Sequence, residues 1–196
     1  MAQYDADSVV VYQAYAPAIG HFAVENSYLG GGEYSLNRMS WIKPNFLWMM
    51  HRSGWGTKHG QEVILAIKIK RSGFESILEQ AVHSSFIPNI YGTITAWKDA
   101  LENSQVRLQW DPDYDPLDNR LERRAMQLGL SGEILAQYAQ GGWIIDIEDV
   151  TPLAHTQRGN AQVDRLEQLV LPKEAVYPVI HPELAKKLQL SPTIEQ

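Results

Sequence analysis

The chain has 196 residues, 44% of them hydrophobic and 20% charged, a balance that buries a core and excludes wholesale disorder. It has no cysteine, which excludes a disulfide scaffold, thiolate zinc sites, iron–sulfur clusters and cysteine nucleophiles. The net charge of −6 argues against a surface built throughout to coat nucleic acid.

In chain order, Ser8 to Ala14 is rich in β-branched and aromatic residues and predicts a first strand. Pro17 suits the first turn of a helix that continues to Ser27, and Gly30-Gly31-Gly32 then breaks the chain. Arg38 to Ile42 predicts a short strand. Pro44 is expected at the first position of an apolar helix running to Arg52, with Gly54 ending it. Phe46, Met49 and Met50 share one face of that helix and are expected in the core.

Glu62 to Ile69 predicts a strand, and Ser72 with Glu75 forms a capping-box pattern for a helix to about His83. A helix from Thr95 to Glu102 comes next, then a strand from Gln105 to Trp110. Asp111-Pro112-Asp113-Tyr114-Asp115-Pro116 predicts an exposed turn; as a calcium loop it would carry Pro116 where a glycine is needed. Arg123 to Leu130 is the next strand, Ser131 caps a helix to about Gln140, and Trp143 to Glu148 is the last clear strand. Strands and helices mix without strict alternation or a fixed repeat. The expected architecture is a single α+β domain, a mixed or split sheet flanked by helices over residues 1–153. A helical and irregular tail, 154–196, packs on that core.

No apolar run approaches the ~18–20 residues that span a bilayer, and no Lys/Arg-headed apolar segment opens the chain. A cytoplasmic protein without a membrane partner is expected.

Charge is concentrated. Seven of the basic residues fall between Leu36 and Arg71 against one acid, Glu62, which makes that segment +6 within an acidic chain. Either it forms one anion-binding face, or it is a solvated surface balanced by the acidic run at Asp111 to Asp118. Alternation in Ala66 to Lys70 puts Lys68 and Lys70 on the wet face of a strand.

Phosphate-binding loops, dinucleotide glycine fingerprints and Gly-x-Ser-x-Gly elbows are missing, and the six histidines never fall four apart, so no metal site is expected. The densest functional stretch is Arg38, Trp41, Lys43, Arg52 and Trp55, where cations interleave with indoles. Such a set suits an anionic ligand with a flat ring, or else an ordinary surface. A second cluster centres on Arg124, Gln127 and Glu133. Gln127 beside the small Gly129 leaves room for a ligand. Glu133 serves either the dipole of its helix or a ribose at the mouth of the sheet.

Tyr12-Gln13-Ala14-Tyr15, the block from Arg38 to Trp55 with its Trp-Ile-Lys-Pro core, Gln109 to Pro112, and Gln127 to Glu133 together resemble the domain-of-unknown-function family numbered 4291, over most of the chain to about Leu153. At the level of fold, the order of elements is similar to ADP-ribosyltransferases, which bind NAD in a split sheet without a Rossmann fingerprint. That similarity implies an NAD-dependent transferase. Tyr12 and Gln13 fall where such enzymes place an Arg or His, Ser40 to Trp48 stands for the middle motif, and Glu133 is the catalytic acid, with Gln127 beside it. Arg38 and Lys43 would hold the pyrophosphate, and Trp41 or Tyr12 would stack on a ring. The alternative is a non-catalytic module that binds RNA or another single strand with the same basic and aromatic face.

Overall fold

A computed structural model describes residues 1–179 and 181–190; position 180 and the last six residues of the expected tail lie outside the described residues. Among the described residues the chain forms an α+β domain around two four-stranded sheets. The first sheet contains β1 (Gln3–Tyr4), β2 (Ser8–Tyr15), β4 (Val63–Lys70) and β8 (Ile144–Asp149), in that order and antiparallel throughout. The second has β3 (Ser40–Ile42), β7 (Arg120–Leu130), β6 (Val106–Tyr114) and β5 (Ala81–His83), with β5 and β6 parallel. The expected split sheet is therefore present.

The strand sequences explain the layering. Val9, Val11 and Gln13 of β2 pair with Ile69, Ile67 and Leu65 of β4, and the valines, isoleucines and leucine among them join the main core. The alternate residues Tyr12 and Ile64 enter a smaller second core with Phe46, Met49, Met50 and Val150. Because both faces are covered over part of their length, these strands read as nearly continuous apolar runs. Lys68 points outward and pairs with Asp5 at 3.3 Å, as the alternation predicts.

Helix α1 (Pro17–Asn26) follows β2, and α2 (Phe46–Ser53) follows β3. Pro44 precedes α2 rather than opening it. Asn45 is the cap, and its side chain accepts a hydrogen bond from the Trp48 amide at 2.7 Å. Gly54, with φ of 60°, ends the helix as expected. Phe46, Met49 and Met50 are fully buried.

Four further expectations are corrected. Helix α3 (Arg71–Gln80) opens at Arg71, so Ser72 lies inside its first turn and makes no capping bond. It stops three residues early because Ala81 to His83 pair with β6 as β5. The Asp/Pro run is not an exposed turn from its start: Asp111 to Tyr114 continue β6 opposite β7. The turn itself is confined to Asp115 to Asn119, where Asp115 accepts from the amides of Leu117 and Asn119. In helix α6 (Gly132–Gln140) the Ser131 hydroxyl donates to the Gln105 carbonyl, while the Gln105 side chain accepts from the Ile134 amide, so the cap crosses from β6's approach. Helices α4 (Pro88–Tyr91) and α5 (Ile94–Asn103) carry the chain from β5 to its parallel neighbour β6.

After β8 come α7 (Thr151–Asn160), a short 3-10 turn (Leu166–Gln168) and α8 (Pro182–Lys187). The intervening chain is tied to the core. Ala2 and Ala175 exchange two backbone hydrogen bonds at 2.9 Å, and Glu174 accepts from the Phe46 amide at 2.6 Å and from Asn45 Nδ2 at 3.0 Å. Tyr177 packs edge-on against Tyr4 and Phe74, and Leu188 is fully buried.

Candidate functional site

The two sheets are stitched together at one place. The Tyr12 amide donates to the Lys43 carbonyl at 2.7 Å and the Lys43 amide donates back to the Tyr12 carbonyl at 3.1 Å. Beside this stitch lies a cavity of about 440 Å³, within the ~300–1,000 Å³ range of small-molecule sites. Strand β2 contributes Gln13 and Tyr15, and β3 contributes Ser40 and Trp41. The segment between the three glycines and β3 supplies Glu33, Tyr34 and Arg38, while α2 supplies Met49 and Arg52. Lys43 completes the wall between β3 and α2.

A buried polar network underlies this cavity. Gln13 Nε2 lies within donating distance of Tyr15 Oη (2.8 Å), Ser40 Oγ (2.8 Å) and the Trp41 carbonyl (3.1 Å), and its Oε1 accepts from the Tyr138 hydroxyl at 2.8 Å. Tyr15 and Ser40 share a further bond at 2.8 Å. Burial raises the phenol pKa values of Tyr15 and Tyr138, so both remain neutral hydroxyls at physiological pH. The amide of Gln13 is thus spent inside the protein, shaping the wall rather than greeting a ligand. Changing Gln13 to Leu strands the Tyr138 hydroxyl and loosens Ser40; a loss of ~2 kcal/mol is expected in urea unfolding. An unchanged midpoint would mean that the network is dispensable.

The Tyr34 hydroxyl is buried near Tyr15 and Ser40, yet it makes no hydrogen bond of good geometry among the described residues. Since buried hydroxyls are normally satisfied, this donor at the cavity wall calls for a water or a ligand atom.

Lys43 is the unusual group. Only 8% of it is exposed; its Nζ donates to the Trp41 carbonyl at 3.0 Å and sits 5.7 Å from the centre of the Trp48 ring. Among the described residues no carboxylate lies within ion-pair distance of it. Burial first, and the Arg52 guanidinium second, pull its ammonium down to about 7, against a weaker opposing pull from Asp111.

The expected residues therefore divide. Gln13, Arg38, Trp41, Lys43 and Arg52 meet around one cavity. Tyr12 turns to the opposite face of β2, buried edge-on against Phe46 at 5.4 Å. Trp55 also packs on Phe46, at 6.2 Å, in the second core. Arg124 stacks over Trp110 at 4.9 Å, away from these residues. Gln127 donates to Asp111 at 2.8 Å, and the room expected beside Gly129 is filled: a Cβ there would come within 2.6 Å of Met39 Sδ and 2.9 Å of the Trp41 ring. Gly129 serves to let Trp41 lie close against β7. Glu133 is exposed in the first turn of α6 and is not among the residues lining the cavity. Glu33 is the carboxylate that is.

Tyr15 and Tyr34 join the cavity without having been singled out by sequence. A signal for Tyr15 exists, because it lies two residues beyond Gln13 and so shares its face of β2. Tyr34 comes soon after three glycines and carries no periodic signal.

Among the described residues none of the seven basic residues of that segment pairs with the acidic hairpin; the contact from this stretch is made by a histidine. His51 stacks on Tyr114 with ring centres 3.6 Å apart and bonds Asp118 at 2.5 Å. Arg38 and Arg52 make no ion pair among the described residues. No group of three or more His, Asp or Glu side chains is gathered for a metal among the described residues. No helix among them is long and apolar enough to cross a membrane.

Fold and site together define a two-sheet α+β protein with a cationic, aromatic cavity at the junction of its sheets. The chain belongs to the family described as Domain of unknown function (DUF4291), whose model matches residues 1–177. A search of curated proteins finds no match.

Proposed function

We propose that the cavity is a nucleotide site and that the protein handles NAD or a related nucleotide, most concretely in ADP-ribosyl transfer. The observation that carries this reading is the convergence of Arg38 and Arg52, which make no ion pair among the described residues, with Trp41 and Tyr34 on a single cavity. Guanidiniums take phosphate oxygens in paired bonds, and an indole stacks on a base. In such a transfer the glycosidic bond to nicotinamide breaks as the bond to an acceptor forms, and a carboxylate stabilises the cationic ribosyl centre. Glu33 is the carboxylate available within the cavity.

Thermal unfolding at low salt with NAD and with ADP-ribose tests this. A ligand at 100 times its Kd adds ~2.7 kcal/mol to the native state, a clear upward shift. Arg38→Ala combined with Arg52→Ala should abolish the shift while leaving the unliganded midpoint near its original value. Absence of any shift with either compound overturns the reading. Steeply salt-dependent binding of single-stranded RNA instead, lost in Trp41→Ala, would replace it with a nucleic-acid module.

A further inference from the structure

We propose that Lys43 is a covalent capture residue: its side-chain amine condenses with the aldehyde of a phosphorylated ligand held in the cavity. The proposal rests on the reading of the cavity as an anion site and names the ligand class it takes, a small phosphorylated compound with a free carbonyl.

Four features of the wall support it. Lys43 is buried yet is one of the residues that line the cavity. A lysine buried for structure alone ordinarily has a carboxylate partner; this one has a single backbone carbonyl as acceptor. The charged groups that act on it are Arg52 from α2 and Asp111 from β6, and the stronger of the two is the repelling guanidinium. Desolvation beside a second cation is the arrangement that keeps an amine neutral and nucleophilic, and the depressed ammonium of Lys43 agrees with it. Finally, the Tyr34 hydroxyl on the same wall, which makes no hydrogen bond of good geometry among the described residues, is a donor for a carbonyl oxygen, and Arg38 and Arg52 are available for a phosphate.

The chemistry balances without a further reactant. The Nζ lone pair attacks the carbonyl carbon, and the two protons of the neutral amine pass in turn to the former carbonyl oxygen. Departure of that oxygen as water leaves a carbon–nitrogen double bond to Lys43. One aldehyde and one amine give one imine and one water, with no change of oxidation state.

Pyridoxal 5′-phosphate is the probe, being flat, anionic and an aldehyde. The intact protein is incubated with it at neutral pH, reduced with borohydride, digested and mapped by mass spectrometry. The expected result is one dominant adduct, at Lys43, absent from Lys43→Met and formed at least about tenfold more slowly in Arg38→Ala/Arg52→Ala. Pyridoxal lacking the phosphate should label Lys43 correspondingly slowly. Labelling spread evenly over exposed lysines such as Lys70 and Lys98, with Lys43 unmarked or no faster, overturns the proposal. The two readings fail separately. Thermal shifts with NAD but no Lys43 adduct would sink the capture step and keep the nucleotide site. A Lys43 adduct that NAD neither slows nor competes with, and no NAD shift, would keep the capture step and sink the nucleotide.

Discussion

Replacing Lys43 by methionine stabilises the fold, and most strongly at neutral or acid pH. In the unfolded chain this lysine titrates near 10.5, whereas in the folded protein burial and Arg52 hold it at about 7. Between those values the unfolded state binds the proton that the folded state refuses, so the wild type gains stability as pH rises through that window. Below about 7 both states carry the charge, and the full cost of burying it falls on the native state. Methionine fills nearly the same volume against Trp48 and carries no charge. Lys43→Met should therefore raise the unfolding free energy by ~2–4 kcal/mol at about pH 6.5, with the gain fading towards pH 10. Urea titrations across that range measure it directly. A gain independent of pH would mean that the amine is not desolvated.

The opposite sign is expected at Arg123. Its Nε donates to Asp113 Oδ2 at 2.6 Å, and Asp113 is almost wholly buried at 1% exposure. The other carboxylate oxygen accepts from the Tyr114 amide at 2.8 Å. Arg123→Met leaves that carboxylate buried without its cation, a change that costs about 3 kcal/mol, the lower end for such pairs because half of the arginine is in water. Adding Asp113→Asn should recover most of the loss. Equal losses in the single and double variants would place the effect in the packing of the arginine stem.

How much of this is legible in the sequence depends on which residues decide it. Strands β2 and β4 announce themselves by β-branched residues with a period of two, and α2 by its apolar spacing and Gly54. Strand β5 is hidden, since nothing in Ala81-Val82-His83 marks the end of a helix; the parallel partner β6 supplies the reason from far along the chain. Asp113 reads as part of a polar turn because aspartate and proline favour turns; its burial is decided by Arg123 across the hairpin. At the cavity, Arg38, Trp41, Lys43 and Arg52 from the interleaved cations and indoles lie around one space. The same composition gives no hint that Trp55 and Tyr12 turn into the second core, since an indole or a phenol is as suited to packing as to stacking. Gln127 shows the same ambiguity, its amide taken by Asp111 from the adjacent strand. Lys43 reads in sequence as a cation at the end of a strand, and only the meeting of two sheets and a helix around it accounts for its burial.

The reciprocal bonds between Tyr12 and Lys43 have a consequence for the wall of the cavity. A lysine ordinarily swings on a four-carbon stem, and immobilising that stem costs up to ~2 kcal/mol of rotamer entropy. Here the main chain of Lys43 is pinned to β2, and its tip is tethered to the Trp41 carbonyl. The freedom of that stem is surrendered when the chain folds rather than when a ligand arrives, so the amine waits in place as a rigid part of the wall.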